Sequence, residues 1–182
     1  GDICSRLGEA AREAGADAIV VSCGLCHANM DMRQGKDGLP VLYVTENNLY
    51  GIGTRIQRST AVQDQYKRAC GYDIPAVQVD GQDIEVVFKA AKEAVDHVRS
   101  GKGPYMLELM TYRYRGHSMS DGNAYRSKEE EKEWGKRDPI ILLRDRLIEA
   151  GEISEEEYRS MDKAIIDEIE TEIIPYCEES PE

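Results

Sequence analysis

No run of apolar residues in the chain approaches the roughly 20 that a bilayer-spanning helix needs, so no membrane partner is expected. Positive charge is scarce. The 23 Lys and Arg face 35 Asp and Glu, a formal net charge of −12, and that balance argues against a nucleic-acid surface. From Glu152 to Glu182 twelve acids face only Arg159 and Lys163, which reads as a solvated helix face. The paired cysteines of a secreted disulfide scaffold are missing too. Cys4, Cys23, Cys26, Cys70 and Cys177 are odd in number and scattered, which fits a reducing cytoplasm. The first residue is Gly1 rather than Met, and no charged stretch precedes an apolar one there, so the start reads as an internal cut. What remains is a globular composition: 182 residues, 41% hydrophobic and 32% charged, enough for a domain with a core.

The most informative stretch is Pro40 to Gly53, PVLYVTENNLYGIG. Val41 to Val44 form a short run of β-formers, a buried strand. It breaks into Glu46-Asn47-Asn48 and then a turn carrying Gly51 and Gly53. Open α/β sheets bind ligands at the carboxyl ends of their strands. Neutral amide and carbonyl oxygens there suit a hard cation such as Mg²⁺, which holds phosphate oxygens in turn. An ordinary Asn-Gly turn reads the same way.

Along the rest of the chain, 5–14 reads as a short helix, Ala18–Val21 as a strand and Ser59–Arg68 as a helix. Ala76–Val79 is a strand, and Asp83 caps a helix running to Arg99. Its apolar face is Ile84, Val87, Phe88, Ala91, Val95 and Val98. Tyr105–Tyr112 is a buried strand, and the strand–helix–strand order implies a parallel sheet. A polar loop follows, Arg113 to Arg126, in which two arginines and His117 face an anion or simply form a basic surface. Ser127–Glu130 and Ser154–Glu157 are capping boxes, and Asp138-Pro139 opens a helix between them. The last helix, with Tyr158, Met161, Ile165 and Ile169 on one face, stops at Pro175 and packs on its own domain.

Cys23-Gly24-Leu25-Cys26 sits at a strand-to-helix turn, where amide dipoles favour thiolate and hence metal ligation or redox exchange. Two chance cysteines look the same, and a closed site needs two more ligands. The segment GDICSRLGEAAREAGADAIVVSCGLCHANMDMRQ resembles the end of a cysteine-rich domain from the cluster-binding subunit of heterodisulfide reductase, over about residues 1–45. That resemblance implies an iron–sulfur cluster held through Cys23 and Cys26, and an electron-transfer subunit as the alternative function. Gly24 replaces the family's proline, and the paired-cysteine half of the motif is absent.

From about Leu39 onward the residues LPVLYVTENNLYGIGT, VQVDGQDI, SGKGPYMLELMTYRYRGHSMSD, YRSKEEEKEW and RDPIILLRDRL resemble the α subunit of the thiamine-diphosphate-dependent decarboxylating component of pyruvate dehydrogenase. The resemblance implies an α/β fold, a three-layer parallel-sheet thiamine-diphosphate-binding architecture with a helical C-terminal tail. It implies oxidative decarboxylation of pyruvate with acyl transfer to a lipoyl group. The implied partners are a β subunit, in a heterotetramer, and a lipoyl acyltransferase core. The location is cytoplasmic in a prokaryote, or the mitochondrial matrix in a eukaryote. By the same resemblance the Asn48 side chain and the Tyr50 carbonyl are Mg²⁺ ligands, His117 is the active-site histidine beside the diphosphate, and Arg113 of the same loop binds the cofactor with them. Ser118 matches a regulatory phosphorylation position, while two others are occupied by Ala124 and Arg55. The family's metal-binding Gly-Asp-Gly is not found two dozen residues before the asparagines, where Ala18 and Ile19 lie. Residues 1–38 are thus expected to be a partial cysteine-rich segment, 39–126 a partial thiamine-diphosphate-binding domain and 127–182 a helical extension. The two parts are expected to be joined as in a chimeric or misassembled reading frame, the alternative being a single divergent subunit with an inserted segment, and the chain by itself is expected to be inactive.

Overall fold

The computed structural model describes residues 19–22 and 41–181. The chain divides into two compact units, Gly1–Asp138 and Pro139–Glu182. In the first, four parallel strands run in the order β1-β2-β6-β5: β1 (Ile19–Ser22), β2 (Val41–Asn47), β5 (Ala76–Asp80) and β6 (Tyr105–Met110). Asn47 pairs with Met110, and Met110 with Asp80, so three carboxyl ends finish level. The α/β parallel sheet expected from the order of elements is present.

Strand alternation sends β2 side chains to two covered faces. Val41 and Tyr43 join Met106, Ala69 and Ile74 on one. Leu42 and Leu107 pack on Ala90, Ala94 and Val98 on the other. Those last three residues lie on helix α2 (Ile84–Arg99), which links β5 to β6. Its cap is as expected, with the Asp83 carboxylate accepting from the Glu85 and Val86 N–H groups. Of the expected apolar face, Ala91, Val95 and Val98 do pack on this core, and the correction falls on Ile84 and Phe88. Ala90, Ala94 and Val98 are buried, whereas Ile84 and Phe88 are exposed. Ala90, Ala94 and Val98 lie on the covered side of the helix, and Ile84 and Phe88 on its open side.

The helix expected over 59–68 is also displaced. A single turn, α1 (Ile56–Ser59), precedes it, and a 3-10 helix follows over Gln65–Tyr72. Ser59 ends the first of these, and Thr60 and Asp64 are extended. The strand at 105 stops at Met110, two residues short of Tyr112, because the chain leaves the sheet as it enters the polar loop. A two-residue ribbon, β3 (Tyr50–Gly51) with β4 (Thr54–Arg55), stands at the end of β2. Helix α3 (Lys128–Gly135) completes this unit.

The second unit holds α4 (Pro139–Glu149), α5 (Glu155–Glu168), a π-helical turn (Ile169–Ile173) and α6 (Ile174–Glu179). The Ser154 capping box is complete in both directions. Pro175 does not stop the helix. It lies in the first turn of α6, where a missing N–H costs least, after the wider π turn has reset the ladder. Met161, Ile165 and Ile169 are 50%, 58% and 42% exposed, so most of the face expected to pack on its own domain is open, while Tyr158 is half-buried with the Arg144 guanidinium of α4 5.3 Å from its ring centre. No helix among the described residues is long and apolar enough to cross a membrane.

Candidate functional site

Among the described residues, the loops singled out in the sequence meet at the level strand ends. After β2 the backbone makes two overlapping Asx turns. Asn47 Oδ1 accepts from the Leu49 N–H and Asn48 Oδ1 from the Tyr50 N–H, each at 3.2 Å. Leu49 is thereby held at φ +72°, a region a leucine seldom enters. Leu49 O then accepts from the Ile56 N–H at 2.9 Å. Bonded and unbonded pairs alternate along an antiparallel ribbon, so Tyr50 and Arg55 form an unbonded pair. The Tyr50 carbonyl is therefore turned out of the ladder.

The loop after β6 is tied to this turn by Arg113. Its Nη2 donates to the Ile52 carbonyl at 2.6 Å and to the Tyr125 hydroxyl at 2.8 Å. The Tyr125 hydroxyl donates to Asp121 Oδ2 at 2.6 Å, and the same oxygen accepts the His117 N–H at 2.8 Å. His117 is exposed and positioned through its backbone. Ser118 and Ser120 are exposed, their hydroxyls 3.1 Å apart. Gly53 lies close beside Tyr125, and a Cβ there would sit 3.0 Å from the ring, which would have to give by a few tenths of an ångström. The structure therefore brings Asn48, Tyr50, Arg113 and the His117 loop to one end of the sheet.

The Asp121 carboxyl is held at about 2 by the Tyr125 hydroxyl first, then by the His117 and Asn123 N–H groups. A depressed carboxyl stabilises the fold above its unfolded value, near 3.9, and loses that contribution as pH falls through its folded value. The His117 and Asn123 amides are thus expected to stay slow in hydrogen exchange down to about pH 4 and to open between pH 4 and 2. Asp121→Asn, which turns one acceptor into a donor, should open at least one of them at neutral pH. Unchanged amides in that variant would refute the assignment.

Beneath the loop lies a cluster that sequence reasoning missed. Arg126, 8% exposed, sits 5.7, 5.3 and 5.6 Å from the Tyr50, Tyr112 and Tyr125 ring centres. Its guanidinium donates to the carbonyls of Arg113, Tyr114 and Arg115 and pairs with Glu131 at 3.5 Å. Tyr112 stacks on Trp134 at 5.0 Å, bringing α3 against the loop. Burial raises the Tyr114 hydroxyl above its ordinary range, while Gln82 donates to it at 2.7 Å. Glu130 is half of the capping box expected at Ser127. Ser127 does accept the Glu130 N–H, yet the Glu130 carboxylate is engaged elsewhere, by the Tyr50 hydroxyl at 2.6 Å and by Arg55. Glu108, fully buried on β6, lies within what reads as an apolar strand, although an acid inside YMLELM is itself the signal.

The donor set can be tested against the expected ion. Asn48 Oδ1 keeps a second lone pair beyond its Asx turn, and the outward Tyr50 carbonyl keeps both, so two neutral oxygens suited to Mg²⁺ stand at the turn. They fit as one side of a site whose other ligands are phosphate oxygens and water. No group of three or more His, Cys, Asp or Glu able to hold a metal occurs among the described residues. Cys23 and Cys26, the candidates for an iron–sulfur cluster, lie outside them. The described cysteines, Cys70 and Cys177, are exposed free thiols.

A parallel α/β sheet with oxygen-bearing turns and a clamped polar loop at its carboxyl edge defines, as a class, an open-sheet ligand-binding domain. The family model of the dehydrogenase E1 component matches residues 24–180, and the chain belongs to that family. The match begins inside the stretch set apart by its cysteines and takes in Cys26. The chain is 46% identical over 145 residues to pyruvate dehydrogenase E1 component subunit alpha of Rhizobium meliloti, which is 79% of this chain and 41% of that protein. It is 40% identical over 144 residues to the protein of the same name from Rickettsia conorii, 79% of this chain and 44% of that one. To the somatic mitochondrial form of Bos taurus it is 49% identical over 134 residues, 72% of this chain and 34% of that protein. The chain spans about two fifths of the length of the bacterial relatives and a third of the bovine one.

Proposed function

We propose that the chain is part of the α subunit of a thiamine-diphosphate-dependent 2-oxo acid dehydrogenase E1 component, and that its strand-end turn is one side of a Mg²⁺–diphosphate clamp. The observation that carries this is the tie from the Asn48–Tyr50 turn to the His117 loop through Arg113 and the Ile52 carbonyl. Family membership supports it. Thiamine diphosphate, when bound, supplies the nucleophile and the electron sink for decarboxylating a 2-oxo acid. Asn48 and Tyr50 would hold the ion through their oxygens. His117, carried on a loop braced by Asp121, would donate a hydrogen bond to the diphosphate or to the substrate. Arg113 braces the loop at neutral acceptors and acts on the anion only through it.

The names of the relatives point to pyruvate as substrate. A β subunit and a lipoyl acyltransferase core are the partners this reading requires, in the cytoplasm of a prokaryote or the mitochondrial matrix of a eukaryote. The test is calorimetric titration of thiamine diphosphate, with and without Mg²⁺, into the protein that carries this sequence, co-purified with its β subunit. CO₂ release from several 2-oxo acids is then measured. Binding that needs Mg²⁺ is expected, and Asn48→Ala should weaken it by at least the roughly 10-fold that loss of even an outer partner of a metal costs. Binding indifferent to Mg²⁺, or to Asn48→Ala, would sink the clamp.

A further inference from the structure

We propose that Glu108 is the positioning residue of the Asn47–Tyr50 turn, reaching it through the Asn47 side chain from the middle of the neighbouring strand. Glu108 is 0% exposed, and its carboxylate is met by donors. Asn47 Nδ2 donates to Oε1 at 2.6 Å. The Tyr66 N–H and Gln78 Nε2 donate to Oε2 at 2.9 and 3.1 Å. An ionised carboxylate, which only accepts, satisfies all three; an amide cannot.

The consequence falls on Asn47. It is 7% exposed, and its amide has two ends with fixed tasks. The NH₂ end must face Glu108, which leaves the oxygen facing the Leu49 N–H. Were the amide reversed, its oxygen would oppose the carboxylate and its NH₂ would oppose the Leu49 N–H, acceptor against acceptor and donor against donor. The acid therefore sets which way Asn47 points. Asn47 in turn holds Leu49 at positive φ, and Leu49 lies within the second Asx turn, which closes from Asn48 to Tyr50. Through Oε2 the same carboxylate fastens the start of the 3-10 helix at Tyr66 and the β5 strand at Gln78. The turn is thus referenced to three elements of the core rather than left to the loop.

The effect on the ion rests on the Mg²⁺ clamp proposed above; the effect on the turn does not. The experiment uses the isotope-labelled α subunit with its β partner, comparing wild type, Glu108→Gln and Asn47→Ala. Hydrogen exchange at the Leu49 and Tyr50 amides is the first readout, and Mg²⁺-dependent thiamine diphosphate affinity by calorimetry the second. In Glu108→Gln, Leu49 exchange should rise about 10-fold or more while the Ala94 amide in α2 is unmoved, and affinity should fall about 10- to 100-fold, as for outer-shell partners of metals. Asn47→Ala should reproduce both effects, and the double variant should be no worse than either single. It also serves if Glu108→Gln does not fold. Exchange at Leu49 unchanged in a folded variant, or additive losses in the double, would overturn the proposal. If wild type shows no Mg²⁺-dependent binding, the clamp fails, and the exchange arm still decides the role of Glu108.

Discussion

Arg126→Ala is expected to lose about 3 kcal/mol of stability, the upper end of the cost of leaving buried acceptors without their donor. For a chain of this length that is a fall in Tm of about 6–12 °C. The Arg126 side chain is 0% exposed, with Glu131 at 3.5 Å and three main-chain carbonyls as its partners. Truncation leaves those carbonyls without a donor and opens a void between Tyr50, Tyr112 and Tyr125. Arg126→Lys should recover little. A single ammonium cannot address three successive carbonyls as a planar fork does, and it stacks less well on tyrosine faces. Urea unfolding of the three proteins checks this, with a shift in midpoint at constant slope as the expected form. Full recovery by lysine would show that charge alone matters there.

Gly81→Val should cost about 3 kcal/mol, the upper end for overpacking. A Cβ at Gly81 would lie 2.6 Å from Thr111 Cγ2 and 2.9 Å from the Met110 carbonyl oxygen. The second contact is with backbone, and that same oxygen accepts the Gly81 N–H at 2.9 Å. Neither β5 nor β6 can retreat without breaking the pairing of Asp80 with Met110 that levels the strand ends. Thr111→Ser removes the methyl and should return part of the loss, not all, because the carbonyl remains. A thermal-melt double-mutant cycle measures the returned part; complete rescue would place the whole clash on the methyl.

Much of the architecture was legible because it is written in local periodicity. Strands at 41, 76 and 105, the cap at Asp83 and the boundary at Pro139 follow from alternation and capping chemistry that neighbouring residues supply. The faces were less legible. Phe88 outranks Ala94 in hydrophobicity, yet Ala94 is buried and Phe88 is 72% exposed, since the rotation of the whole helix on the sheet rather than the size of one side chain decides which stripe is covered. The 59–68 segment has helix formers, but the Glu108 carboxylate captures the Tyr66 N–H and favours a tighter 3-10 course beginning at Gln65. At the site, Asn48 and the loop holding Arg113 and His117 stood out as polar residues after strands, while the Tyr50 carbonyl came from the family resemblance alone. Glu108, Glu130 and Arg126 did not, because their partners lie 61, 80 and 13 residues away in sequence and only the fold reveals them.

Arg126 also solves a problem of edges. Residues Arg113 to Arg115 leave the sheet with their carbonyls facing inward, where a neighbouring strand would ordinarily take them. One guanidinium substitutes for that strand, so the chain can quit regular structure inside the molecule without leaving peptide oxygens dry. The path toward His117 is therefore free of the geometry of pleated pairing, and its course can be shaped by whatever lies above the sheet.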